Sequence, residues 1–401
     1  MAGCIEPIMT VLPGAAAATP RPAACMDFGT AGLDDGAIQA GFRRRPAGHP
    51  TYDRASGISR GEISAGAAGM DSRPLGTDVN QVQVTSLSKI RGQRQVVEQL
   101  QLHLSAHFNM RSPGTKPPSF GPVGFYGPPG TGKTMIACAL HCELGNLKFV
   151  ETSGVTLNRK PELYSVLVNA DPLTTVLVDE AQGLNAQSQY VLLTALSEKV
   201  VRVPAASTSM GSYTIRLADF VMILATTDEY LLQEALRDRM RICCRFDHYS
   251  TEDLVEIVRQ RAATLGWDCE SDGVLQMIAQ RAKATPRQAL HRNLQTAWEV
   301  AKSHDRDVIT LDDAREAFRH LQIDELGLDA IDRLYLGMLA KRGYASLGAL
   351  SAKLGLPPLT LQRVIEPYLI REDLITKGRA SERIITEKGR RHIEAAPWPV
   401  K

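Results

Sequence analysis

The sequence predicts an α/β fold: a parallel sheet carrying a phosphate-binding loop, then a small helical domain, then a C-terminal winged helix. Three observations carry that prediction. Residues 127–134 read Gly127-Pro128-Pro129-Gly130-Thr131-Gly132-Lys133-Thr134, a complete G-x-x-x-x-G-K-[ST] loop. A β-branched run, Thr174 to Val178, ends in Asp179-Glu180 about 45 residues later, the reach of a strand–helix crossover. From Thr251 the apolar period becomes helical, and the chain closes with helices followed by a short basic hairpin.

The loop lies between an apolar run, Val123 to Tyr126, and a helix-forming stretch, Met135 to Leu144. Strand, glycine loop and helix N-terminus together make an anion site of backbone N–H groups. The glycines let the main chain approach a β-phosphate, Lys133 brings a point charge to the β/γ oxygens, and the Thr134 hydroxyl is a ligand for Mg²⁺. Asp179, at the end of its strand, is the second candidate for holding Mg²⁺, and Glu180 is the candidate for polarising a water. An Asp-Glu pair is common by chance; its distance from the loop gives it weight. The expected ligands are a nucleotide and Mg²⁺.

In chain order, residues 1–80 are rich in Gly, Ala, Pro, Ser and Arg without a sustained period, which predicts a disordered extension. Order is expected from near Val84, with Val96, Leu100 and Leu104 on one helix face, then a loop from Arg111 to Pro122. The α/β domain spans 81–246. Within it, Lys199 to Leu217 alternates apolar and polar residues around a small-residue centre, a β-hairpin signal, and Phe220 to Leu224 is a buried strand ending at Ala225-Thr226-Thr227. The small domain, 247–325, starts with a helix whose face is Leu254, Ile257, Val258 and Leu265; further helices are expected over 273–283, 286–302 and 311–321. Asp312-Asp313 opens the last of these, where carboxylates suit the helix dipole. The third domain, 326–401, has helices over 329–341, 346–354 and 359–368, then strands around Ile375–Arg379 and Arg383–Thr386. In winged helices a helix typically enters the major groove and the wing meets phosphate or minor groove.

Net charge is only +2, so no overall field announces a polyanionic partner, but residues 326–401 hold 13 Lys/Arg against 8 Asp/Glu, which places the excess on the winged helix. The seven cysteines show no zinc-ligand spacing; Cys138 and Cys142, four apart, are read as one buried helix face. His103 and His107 have the same spacing without a completing acid and are read as helix surface. Free thiols beside a nucleotide site point to a reducing cytoplasm. No run of 18 apolar residues exists and the N-terminus lacks a basic region, so neither a membrane span nor a signal peptide is expected.

From about Ile90 to Ile393 the chain resembles the RuvB family of Holliday-junction branch-migration motors, which are AAA+ ATPases. The phosphate loop and acidic pair are general to AAA+ proteins. More specific are Ile90-Arg91-Gly92-Gln93, Ala225-Thr226-Thr227, Leu236-Arg237-Asp238-Arg239, Thr285-Pro286-Arg287, Gly327-Leu328-Asp329 with Asp332-Arg333, and above all Val364-Ile365-Glu366-Pro367-Tyr368-Leu369-Ile370.

The resemblance implies an AAA+ core with a helical lid and a winged helix, and a ring, by analogy a hexamer, around DNA. It implies that Ile90 and Pro286 border the nucleotide and that Thr227 (or its neighbour Thr226) senses the γ-phosphate. Arg239, with Arg237 as the alternative, would be the finger reaching an adjacent subunit's ATP, and Arg287 would report to the lid. Lys377, Arg379 and Arg383 become expected phosphate contacts, which position a protein without specifying sequence. Hairpin 199–217 corresponds to the docking element for a RuvA-like partner; Tyr213 and Ile215 keep its apolar character. Two residues depart from the pattern: Gln182 stands where a histidine is usual, and Asp228 where an arginine follows the threonines. The same core would also serve an ATP-dependent loader, or a DNA-binding switch without motor activity.

Overall fold

A computed structural model of the chain describes residues 78–79, 84–110, 120–204, 212–379 and 382–395. Most of the expected extension over 1–80, the loop residues 111–119 and the centre of the hairpin lie outside these.

The large domain runs α1 (Arg94–Asn109), β1 (Val123–Tyr126), α2 (Lys133–Leu144), β2 (Lys148–Ser153), α3 (Lys160–Val168), β3 (Thr174–Asp179), α4 (Ala186–Glu198), β4 (Val200–Pro204), β5 (Ser212–Arg216), β6 (Val221–Thr226), a short α5 (Glu234–Arg237) and β7 (Ile242–Arg245). Five strands form a parallel sheet in the order β2-β3-β6-β1-β7. Strands β1 and β6 are buried along their whole length, as parallel strands covered by helices on both faces must be. Alternation divides the core. Phe125, Leu177, Ile223 and Ala225 pack with Leu100, Ile136 and Leu140 of α1 and α2; Val176, Val178, Met222 and Leu224 pack with Leu163, Leu167 and Leu192 of α3 and α4.

The lid comprises α6 (Thr251–Leu265), β8 (Asp268–Cys269), α7 (Asp272–Gln280), a π-helical turn Gln288–Leu294 leading into α8 (Gln295–Ser303), β9 (Val308–Ile309) and α9 (Leu311–His320). Trp267 and Trp298 stack at its centre, 4.8 Å apart. Asp313 closes a capping box with Thr310 at the start of α9. Val79 is buried in this core and its N–H donates to Gln295 Oε1 at 3.2 Å, so this residue packs on the lid although it precedes the large domain in the sequence.

The third domain has α10 (Ala330–Arg342), β10 (Tyr344–Ser346), α11 (Leu347–Leu354) and α12 (Pro358–Thr360), which continues through a π-helical turn, Leu361–Ile365, into α13 (Glu366–Arg371); β11 (Ile375–Lys377), β12 (Glu382–Ile385) and α14 (Glu387–Ala395) follow. Its sheet has the order β10-β12-β11, the wing hairpin plus a strand that sequence periodicity is too short to reveal. The fold is thus the AAA+ core with lid and winged helix that the sequence predicts.

Two side-chain expectations are corrected. His107 is buried, edge-on to Phe108 and Phe120, because it continues the Leu100–Leu104 face of α1 by a further turn. Cys142 is exposed while Cys138 is half-buried, so the pair does not share one buried face; no cluster of metal-ligating side chains occurs among the described residues. No helix among them is long and apolar enough to cross a membrane.

Candidate active site

The sheet register brings the chemistry to one edge. Tyr126 pairs with Thr226 and Val178 with Leu224, so the residues after β1, β3 and β6 emerge together at the carboxyl ends of the strands. Gly127, Gly130 and Gly132 all have positive φ. A Cβ at Gly127 would lie 2.4 Å from the Phe246 carbonyl oxygen, so no side chain fits where the loop leaves the sheet. Thr131 Oγ1 donates to the Pro128 carbonyl at 2.8 Å and tightens the turn, while Pro129 stands exposed at its crest.

Lys133 opens α2 and is buried. Its ammonium donates to the Gly127 and Pro128 carbonyls at 2.8 and 2.9 Å. Burial pulls its pKa below the ordinary lysine range; the Asp179 and Glu180 carboxylates oppose that shift and Arg287 adds to it. Thr134 Oγ1 donates to Asp179 Oδ2 at 3.1 Å. A hydroxyl and a carboxylate beside a phosphate loop are the hard oxygen donors that Mg²⁺ accepts, so these residues fit the ion.

Glu180 has φ 48°, a left-handed conformation unusual for a residue with a side chain. Its carboxylate accepts from the Gln182 amide. The same amide donates to Thr227 Oγ1 at 3.0 Å, and its oxygen accepts from Thr226 Oγ1 at 2.6 Å. Gln182 is therefore the hub joining the acid after β3 to both threonines after β6. The sequence marks it as a departure, and only the juxtaposition of the two strand ends gives it a role. Thr226 is buried and committed to Gln182 and the Asp228 N–H, whereas Thr227 is half-buried.

The loop is roofed from two sides. Ile90 is buried, and at Gly92 (φ 70°) a Cβ would come within 2.5 Å of the Tyr249 ring. The Tyr249 hydroxyl donates to the Thr131 carbonyl at 3.0 Å, and its N–H donates to the Ala284 carbonyl at 3.0 Å. Burial pushes this phenol above its ordinary pKa, keeping it a donor. Gln93 exchanges hydrogen bonds with the Asp247 main chain at 2.6 and 3.2 Å. Tyr249 and Gln93 thus fasten the N-terminal segment, the loop and the lid together, a role no motif announces. From the lid, Pro286 is buried and the Arg287 N–H donates to the Gly130 carbonyl at 3.5 Å. Arg239 is exposed and has no side-chain hydrogen bond or ion pair among the described residues; Arg237 is half-buried, 3.8 Å from Glu229.

On the winged helix, Lys377 and Arg379 are exposed on the wing, also without such a partner among the described residues. Arg383 corrects an expectation. It is 4% exposed and holds Glu366, 0% exposed, in a two-point ion pair at 2.8 and 2.9 Å, with the Tyr335 hydroxyl adding a bond at 3.0 Å. It cannot reach a phosphate from there. The third helix is also less free than in a groove-reading winged helix: Arg363 donates to the Tyr230 hydroxyl at 2.9 Å and Arg371 to the Lys283 carbonyl at 3.1 Å.

A phosphate loop on a five-stranded parallel sheet, with an acidic pair, a helical lid and a winged helix, defines an AAA+ nucleotide-binding protein with a nucleic-acid-binding module. Residues 82–246 match the family described as Holliday junction DNA helicase RuvB P-loop domain, 249–324 the RuvB AAA lid domain, and 325–394 the RuvB C-terminal winged helix domain. Proteins named Holliday junction branch migration complex subunit RuvB are 34% identical over 318 residues. The one from Paramagnetospirillum magneticum aligns over 78% of this chain and 88% of its own length; that from Granulibacter bethesdensis over 78% and 86%. The Thermotoga maritima RuvB Holliday junction branch migration motor superposes with a TM-score of 0.66 at 28% identity, covering 78% of this chain and 98% of that one. A point mutant of it gives 0.68, covering 78% and 99%. The chain belongs to the RuvB family.

Proposed function

We propose that this chain is an ATP-driven DNA motor for Holliday-junction branch migration, hydrolysing ATP at the subunit interfaces of a ring. The observation that carries the reading is the convergence of Lys133, Thr134, Asp179, Glu180 and Thr227 on one sheet edge in a chain that also bears a wing with two exposed cations.

The loop's N–H groups and Lys133 bind the phosphates, with Lys133 giving up its carbonyl partners for them. Thr134 and Asp179 would hold Mg²⁺, which would supply positive charge to the phosphates. Glu180 accepts a hydrogen bond from the attacking water and polarises it, and Gln182 holds that carboxylate against Thr227, which orients the same water or the γ-phosphate. Arg287, already against Gly130, reports the nucleotide to the lid. Arg239, exposed and uncommitted within the described chain, serves the neighbouring subunit's ATP, which requires a homo-oligomer, by family analogy a hexamer. Tyr213, 62% exposed on β5, offers an apolar docking point for a RuvA-like partner. Four-way junction or duplex DNA is the track, and the cytoplasm the expected compartment.

Lys133→Ala is the direct test. Phosphate release with and without a synthetic four-way junction, beside strand-exchange product on a gel, is expected to fall to background in the variant; wild-type turnover would remove the site. Independently, Lys377→Ala with Arg379→Ala is expected to weaken duplex binding and flatten the log–log salt dependence by about 0.9 per lost contact. An unchanged slope would mean that the wing does not touch phosphate.

A further inference from the structure

The polar line that begins at Glu180 continues past the threonines. Thr227 Oγ1 accepts from Gln182 and donates to Asp228 Oδ2 at 3.3 Å. The Asp228 N–H donates to Thr226 Oγ1 at 3.1 Å, which ties Asp228 to both threonines. Its Oδ2 also lies 4.0 Å from the guanidinium of Arg363, the group that donates to Tyr230. Arg363 belongs to the third helix of the winged helix. Elsewhere that domain is held to the lid, by Lys283 with Asp332 and Asp329, and by Arg333 donating to the Gln322 carbonyl. Arg363 reaches past the lid to the sheet domain itself.

We propose that Asp228 and Arg363 form a nucleotide-gated latch, resting on the ATPase reading above, through which the γ-phosphate end of the site controls whether Arg363 is available to a DNA phosphate. The contact is poorly suited to be structural glue: Arg363 is 48% and Asp228 26% exposed, and half-exposed pairs contribute little to stability. It is well placed as a switch, because one carboxylate oxygen is shared between the Thr227 hydroxyl and the Arg363 cation. When Thr227 turns its hydroxyl to a γ-phosphate or its attacking water, Asp228 loses that donor. At the same time the γ-phosphate adds negative charge nearby. Both changes have the same sign: the carboxylate leans more on Arg363, and the latch closes. After hydrolysis and phosphate loss Thr227 returns to Asp228 and Arg363 is released. The linkage is reciprocal, so DNA that captures Arg363 favours the post-hydrolysis state.

The test uses the full chain and Mg²⁺ with ATPγS or ADP, with binding of each measured by displacement of a fluorescent ATP. Backbone hydrogen exchange over residues 358–371 is expected to be slower with ATPγS than with ADP. The difference should disappear in Arg363→Gln and in Asp228→Asn. The salt slope of duplex binding should be steeper in ADP than in ATPγS by about 0.9, one phosphate contact, in the wild type only. A merely structural contact would lower the melting temperature of the single variants and leave the ATPγS–ADP difference intact, which overturns the latch. Equal exchange in both nucleotides with normal binding also overturns it and leaves the motor reading standing. Failure to bind either nucleotide overturns both. Coupling through a chain of residues requires such a two-state readout rather than proximity alone.

Discussion

Replacing Arg239 by alanine is expected to cut ATP turnover by about 10³–10⁵-fold, the contribution of an arginine that neutralises charge in phosphoryl transfer. Nucleotide affinity should change little, because the residue serves a site it does not belong to. Arg239 is exposed and uncommitted among the described residues, whereas the cation that acts on Lys133 within its own chain is Arg287. A mixing experiment separates the two geometries. Arg239→Ala subunits have intact phosphate loops and Lys133→Ala subunits have intact fingers, so co-assembly of the two inactive proteins should recover turnover at mixed interfaces. Recovery cannot occur if Arg239 acts on its own nucleotide. Full activity of Arg239→Ala would transfer the role to Arg237, which would first have to leave Glu229, a carboxylate that also holds Arg245 at 2.7 Å.

The second large effect is on stability. Arg383→Ala removes the cation from a buried pair and leaves the Glu366 carboxylate without compensation, a loss of about 3–5 kcal/mol. The Tyr335 hydroxyl, whose pKa is held above its ordinary value by burial and by Glu366, cannot replace it. Calorimetry should show the winged helix melting earlier while basal ATP turnover survives, since the pair lies wholly within the winged helix's own residues. Glu366→Met with Arg383→Met should be less damaging than Arg383→Ala, because an apolar pair of similar volume avoids the unpaired charge. If Arg383→Ala instead kept its stability and flattened the salt dependence of DNA binding, Arg383 would be a phosphate contact after all.

Arg383 also shows where sequence reading stopped. A basic residue on a short hairpin beside Lys377 and Arg379 is expected to meet phosphate. Yet strand alternation puts position 383 on the face of Ile385, and both are buried on β12. His107 is the same case on a helix, three residues beyond Leu104 on the apolar face. In both, the period was present and the polarity of the side chain concealed it. Helix α14 left a weaker trace: its sequence is mostly charged and only Gly389 is buried, so packing against α10 rather than its own composition places it.

What the sequence by itself determined is the chemistry and its order along the chain. The phosphate loop and the acidic pair are read from residues a few positions apart, because each depends on local backbone geometry, while the threonines and the Val364–Ile370 segment follow from the resemblance. The tertiary structure decided which charged groups are free and which are spent. Gln182 becomes a hub only when β3 and β6 lie side by side. Glu366 buries Arg383 across 17 residues, and Tyr230 restrains Arg363 across 133. A charge finds its partner through space, and the partner's distance along the chain carries no period that a sequence could display.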